Sequence, residues 1–157
     1  MNDLSNPSYR DVLGRFATGV AVVTTSDDEG PIGVTCQSFV ALSLEPPLVS
    51  FAMTSSGTSW TRMKGSPHFA ISVLAADQIE LAKQFATSGI DKFAGVTTSA
   101  SALGDPLIDG ALAHVEVVVV DVASYGDHDL VVARVVNLAA FEGEPALFFR
   151  GSFRHLR

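Results

Sequence analysis

Cysteine, positive charge and long unbroken apolar runs are all scarce in this 157-residue chain. Its one cysteine, Cys36, excludes an internal disulfide and any cysteine-rich metal site. Lys and Arg number 10 against 17 Asp and Glu, giving a net charge of −7, and no basic run is interleaved with aromatics, so nucleic-acid binding is disfavoured. No apolar stretch reaches the ~18 residues of a membrane span. The longest, around Val115 to Val122, is interrupted by Glu116 and Asp121 and reads as a strand. The opening MNDLSNPSYRDV has no basic n-region and no apolar h-region, so no signal peptide and no membrane association are expected. A cytoplasmic location is the expectation that follows.

Apolar residues make up 47 % of the chain and charged residues only 17 %. Such a chain buries much of its surface internally or shares some with a second subunit, so an oligomer is expected. The length predicts one domain over 1–157. Ser8, with Asp11 three residues on, predicts a helix start, and Tyr9, Val12, Leu13 and Phe16 give it an apolar face up to about Thr18-Gly19. Strands are expected over 20–25, 32–36, 39–44, 48–53, 69–74, 113–123, 129–141, 146–150 and 152–155, from their β-branched or alternating sequence. A short helix is expected over 59–64. Another starts at Asp77, with Glu80 in the capping-box position and Ile79, Ala82 and Phe85 as its buried stripe. Residues 87–110 read as a long loop. Many strands joined by short turns predict an antiparallel sheet closed into a barrel, with peripheral helices. No GxGxxG follows the first strand, which argues against a Rossmann fold.

Several chemistries find no support. There is no GxSxG elbow. The four histidines, at 68, 114, 128 and 155, show neither HxH nor HExxH spacing, so no metal site is expected. Cys36, between Thr35 and Gln37 in a strand, reads more readily as a small core residue than as a nucleophile. Two polar stretches in apolar surroundings remain. One is Thr35 to Phe39. The other runs from Thr54 to Ser59, with five hydroxyl residues in six positions just before a short helix. Free N–H groups and the dipole at a helix start favour an anion there, although one hydroxyl would suffice as a cap.

The segments FATGVAVVTT, GVTCQSFVALSLEPPLVSFAMTSSGTSW, FAISVLAADQIELAKQFA, DKFAG, GDHDLVVARV and ALFFRGSFRHL, in that order, resemble the short-chain flavin reductases, the reductase partners of two-component flavin-dependent monooxygenases. The resemblance implies a flavin-binding split β-barrel, a homodimer, and hydride transfer from NADH or NADPH to FMN or FAD. The reduced flavin would be supplied to a separate monooxygenase. It implies that Thr35, Cys36, Gln37, Ser38 and Phe39 lie along the flavin ring and ribityl chain. Ser55, Ser56 and Thr58 would lie on the phosphate side, and Phe93 would approach from a loop. His128 would border the nicotinamide, with Phe149, Arg150 and Phe153 as the opposite wall. From the residues alone, Gly126-Asp127-His128 reads first as hairpin turn chemistry with His128 starting a strand. Two positions depart from the family pattern: Gln37 stands where Asn is common and Ala133 where Gly is frequent. Two alternatives stay open, a flavin-binding carrier or sensor without turnover and an oxidase with its own substrate.

Overall fold

β-branched runs such as Ala21 to Thr25 and Val117 to Val120 form strands of one large antiparallel sheet. The computed structural model describes residues 4–156; residues 1–3, part of the stretch read against a signal peptide, lie outside them. Helix α1 (Asn6–Leu13) leads to a short β1 (Thr18–Gly19), then β2 (Ala21–Asp27), β3 (Gly30–Cys36), β4 (Val40–Ser43) and β5 (Leu48–Thr54). Helix α2 (Thr58–Met63) precedes β6 (His68–Val73), and a single 3-10 turn (Ala76–Gln78) opens α3 (Ile79–Phe85). There follow β7 (Thr98–Ala100), β8 (Pro106–Ile108), the long hairpin β9 (Ala113–Tyr125) and β10 (His128–Ala140), and finally β11 (Leu147–Phe149) and β12 (Ser152–Arg154).

The main sheet is antiparallel throughout, in the order β3-β2-β6-β9-β10-β5-β4. The expected closure into a barrel is corrected at this level: β3 and β4 are its two edges, and the ladder between them is open. A separate small sheet, β1-β11-β12, joins the two ends of the chain, pairing Thr18 with Phe148.

Alternation on β2 explains why it is apolar on both faces. Ala21 and Val23 enter one core with Phe51, Trp60, Phe69, Val117 and Val131. Val20 and Val22 enter a second core with Leu74, Ala82, Phe85, Ile108 and Ala146. Phe51 and Phe69 meet edge to face, 5.7 Å between ring centroids, a geometry that favours the ring quadrupoles.

Some element boundaries differ from expectation. Helix α1 has Ser5 rather than Ser8 at its N-cap position and stops at Leu13 with Gly14 as its C-cap, while Thr18 and Gly19 pair with β11. Its apolar face is not buried: Tyr9, Val12, Leu13 and Phe16 are all exposed. α3 starts after Gln78 rather than at Asp77, because a 3-10 turn comes first, closed by the Gln78 carboxamide oxygen accepting from the Ala75 N–H at 3.0 Å. The supposed loop 87–110 contains the β7–β8 hairpin, whose strands of three residues are too short to show a period.

Candidate functional site

The edge strand β3 delivers the first polar stretch. Val34 and Cys36 point toward the first core. Thr35 turns the other way, and its hydroxyl donates to the Ala82 carbonyl of α3 at 2.5 Å. Gly33 is needed beneath that helix, because a Cβ there would stand 2.6 Å from Phe85 Cε1. Cys36 is buried, and desolvation pushes its thiol pKa up against the smaller opposing effect of Ser38. It is therefore a neutral side chain, not a poised nucleophile. The Ser38 hydroxyl accepts from the Ala52 N–H at 2.8 Å and donates to the Ala52 carbonyl at 3.0 Å. One side chain thus stands in for a strand neighbour and draws the end of β3 against β5.

Around this segment lie three adjoining cavities. The middle one, about 350 Å³, is lined by Thr35 to Ser38 on one side and by Thr58, Ser59 and Trp60 on another, with His128 also in its wall. A largely apolar cavity of about 520 Å³ adjoins it across Cys36, Gln37 and Ser38 and is walled by Phe16, Val20 and Phe39. A third, of about 320 Å³, shares Thr58, Ser59, Ser88 and Lys92 with the middle one. Each falls in the size range of small-molecule sites.

Two observations favour an anionic, partly apolar ligand. Lys92 is half-buried, and its ammonium donates to Ser59 Oγ at 2.8 Å and to the Gly33 carbonyl at 3.4 Å. Burial lowers its pKa from the usual lysine value, and it makes no ion pair among the described residues. A partly desolvated cation without a counter-ion suits a phosphate. Thr18 lines the apolar cavity, and its hydroxyl is buried with no hydrogen-bond partner among the described residues. A buried hydroxyl normally finds a partner, and a polar ring edge would provide one.

The sequence-derived residues are not all gathered here. Thr35, Cys36, Gln37, Ser38, Thr58 and His128 line the middle cavity, and Phe39 lines the apolar one. The Ser55 hydroxyl is committed elsewhere, donating to Asp129 at 3.0 Å. Ser56 is exposed and lines none of the three cavities. Phe93 walls the third cavity and packs edge to face on Phe85, 4.9 Å between centroids. Phe149, Arg150 and Phe153 lie in the β11–β12 hairpin and line none of the three. Arg150 occupies its turn with φ 50°, and its N–H bonds the Gly14 carbonyl. His128 opens β10 opposite Thr54, and its Nδ1 lies 2.7 Å from Asp127, whose carboxyl pKa that contact lowers.

Sequence reasoning missed Lys92 and Thr18; Ser59 lay within the hydroxyl-rich stretch Thr54 to Ser59 but was not singled out. Lys92 belongs to the DKFAG segment, and the signal for it is its charge: it is one of only 10 Lys and Arg residues in the chain. Helix α2 has only six residues, so the charge at this wall comes from Lys92 rather than from a long helix dipole. Among the described residues no group of three or more His, Cys, Asp or Glu could hold a metal, and no helix is long and apolar enough to cross a membrane.

Comparison with known proteins gives the same direction throughout. The chain is 44 % identical over 146 residues to the flavin-dependent monooxygenase reductase subunit HsaB of Rhodococcus jostii, covering 92 % of this chain and 75 % of the relative. It is 39 % identical over 146 residues to the FMN reductase (NADH) SmoA of Agrobacterium fabrum, covering 93 % and 83 %. The solved structure of the NADH:FAD oxidoreductase SgcE6 of Streptomyces globisporus superposes with a TM-score of 0.92 at 35 % identity, covering 100 % of this chain and 97 % of that one. The family model described as the flavin reductase like domain matches residues 13–157, and the chain belongs to that family.

Proposed function

We propose that this protein is an NAD(P)H:flavin oxidoreductase that supplies reduced flavin to a separate monooxygenase. Its family membership over residues 13–157 carries the reading. A bound flavin supplies the ring that accepts hydride from reduced nicotinamide. The residues fit such a group: an apolar cavity with one orphaned hydroxyl, then a polar cavity, then a half-buried ammonium. Cys36 to Phe39 and Thr18 would border the ring. Thr58, Ser59 and Lys92 hold the phosphate, and Ser38 keeps the segment in place through Ala52. Ser55 supports this wall by anchoring to Asp129 rather than by touching ligand. His128, exposed at the rim beside Asp127, positions the nicotinamide.

The same reading includes a split β-barrel, a homodimer and a cytoplasmic location. The Ser38 clip, which draws one edge of the open sheet toward β5, supports the barrel. Exposed Phe16, Leu44 and Leu138 support the dimer, with 80 %, 95 % and 69 % of their surface accessible in the single chain. In that dimer, the β11–β12 hairpin with Phe149, Arg150 and Phe153 completes the nicotinamide side.

Purified protein should oxidise NADH or NADPH catalytically when free FMN or FAD is present and no organic substrate is added. His128→Ala should raise the KM for reduced nicotinamide or slow flavin reduction, with flavin affinity nearly unchanged. Flavin binding with no turnover for either nucleotide overturns the enzyme reading. Turnover that requires an organic substrate favours an oxidase.

A further inference from the structure

Building on the flavin placement above, we infer that the third cavity takes the adenosine half of FAD, so that the enzyme prefers FAD to FMN. The three cavities adjoin in a fixed order. Phe39 lines only the apolar one, Cys36 to Ser38 line both the apolar and the middle one, and Lys92, Thr58 and Ser59 line both the middle and the third. A flavin whose phosphate lies at Lys92 therefore has the third cavity directly beyond that phosphate, where FMN ends and FAD continues. The chemistry there suits an adenosine. Pro31, Ile90 and Phe93 offer apolar surface for a purine. Phe93 is held rigid by its edge contact with Phe85. The Asp91 carboxylate, which already accepts from the Phe93 N–H at 3.1 Å, stands by as an acceptor for ribose hydroxyls. Arg62 borders the cavity but is turned to Asp27 at 2.6 Å, so its charge is already satisfied. Lys92 lies at the wall between the two cavities, where a pyrophosphate would pass.

The test is a set of titrations of the intact protein with FAD, FMN and riboflavin, followed by fluorescence, together with the NADH dependence of turnover. FAD should bind at least about tenfold more tightly than FMN. Ile90 is half exposed, so Ile90→Ser leaves the fold intact. It should weaken FAD about fivefold through lost apolar contact and leave FMN within about twofold. Equal affinity for FAD and FMN overturns the inference while leaving the flavin site standing. So does an FAD preference that Ile90→Ser does not narrow, because the adenosine would then lie elsewhere. An Ile90→Ser variant with raised KM for NADH and unchanged FAD affinity also overturns it, assigning the cavity to the adenosine of the nicotinamide nucleotide. If no flavin binds at all, this inference and the site it rests on fall together.

Discussion

Asp129 is a buried carboxylate that the chemistry does not use and the fold does. It accepts from the Trp60 indole N–H at 2.7 Å, from Ser124 at 2.8 Å and from Ser55 at 3.0 Å. These donors favour the ionised form and hold the carboxyl below the usual aspartate range, the Trp60 bond contributing most. The sign of the pH effect follows. A depressed pKa contributes stability above the unfolded value of about 4, and that stability is lost as pH falls through the folded value. Asp129→Asn should therefore be less stable than the parent at pH 7, and the gap should shrink as pH falls below about 4. Urea unfolding of both proteins from pH 7 to pH 3 measures it, and a gap independent of pH would remove the ionised carboxylate from this account. Nothing in the local sequence announces the contact. Ser55 reads as one hydroxyl among five, and its partner is far away in the chain, across the β5–β10 pairing that sets Thr54 beside His128. Lys92 was hidden for the opposite reason. A single lysine in a Gly- and Ser-rich stretch looks like solvated charge until Ser59 and the Gly33 carbonyl are found around it.

At the level of elements, β3 and α3 are fitted to each other through Gly33. An alanine Cβ would meet the Phe85 ring at 2.6 and 2.9 Å and Thr24 Cγ2 at 3.2 Å. Phe85 has no easy retreat, since it is fully buried and already in edge contact with Phe93. Gly33→Ala should cost about 1–3 kcal/mol by overpacking. At this chain length that lowers Tm by roughly 3–10 °C, which thermal unfolding by circular dichroism reads directly. An unchanged Tm would show that the α3 face can yield. The strands of the main sheet were legible because their β-branched runs are long enough to show a pattern, as in Ala21 to Thr25 and Val115 to Val120. The buried stripe of α3 was legible for the same reason, and Ala82 and Phe85 are fully enclosed. For α1 the period was right, but a period cannot say what will cover the face it reveals. The open sheet was likewise beyond the sequence, because no residue pattern in β3 or β4 says that their outer edges will stay unpaired with each other.

For the whole molecule, the exposed apolar face of α1 and the outer residues of β4, β9 and β10 leave more uncovered hydrocarbon than a solitary domain usually carries. Light scattering at micromolar concentration should give a dimer mass. Val12→Glu, on an exposed turn of α1, should shift the population toward monomer if that face is in the contact. A parent protein that is monomeric across the same range would oppose the paired assembly. The short sheet near the two ends of the described chain has a different consequence, one for synthesis. Thr18 cannot find Phe148, nor Gly14 the amide of Arg150, until the long stretch of chain between them has left the ribosome. While that stretch is being made, the Thr18 segment has no native strand neighbour on that side. The early segment must wait, greasy and unpaired, for β11 to be made, and nascent chains are where chaperone demand for this protein should concentrate.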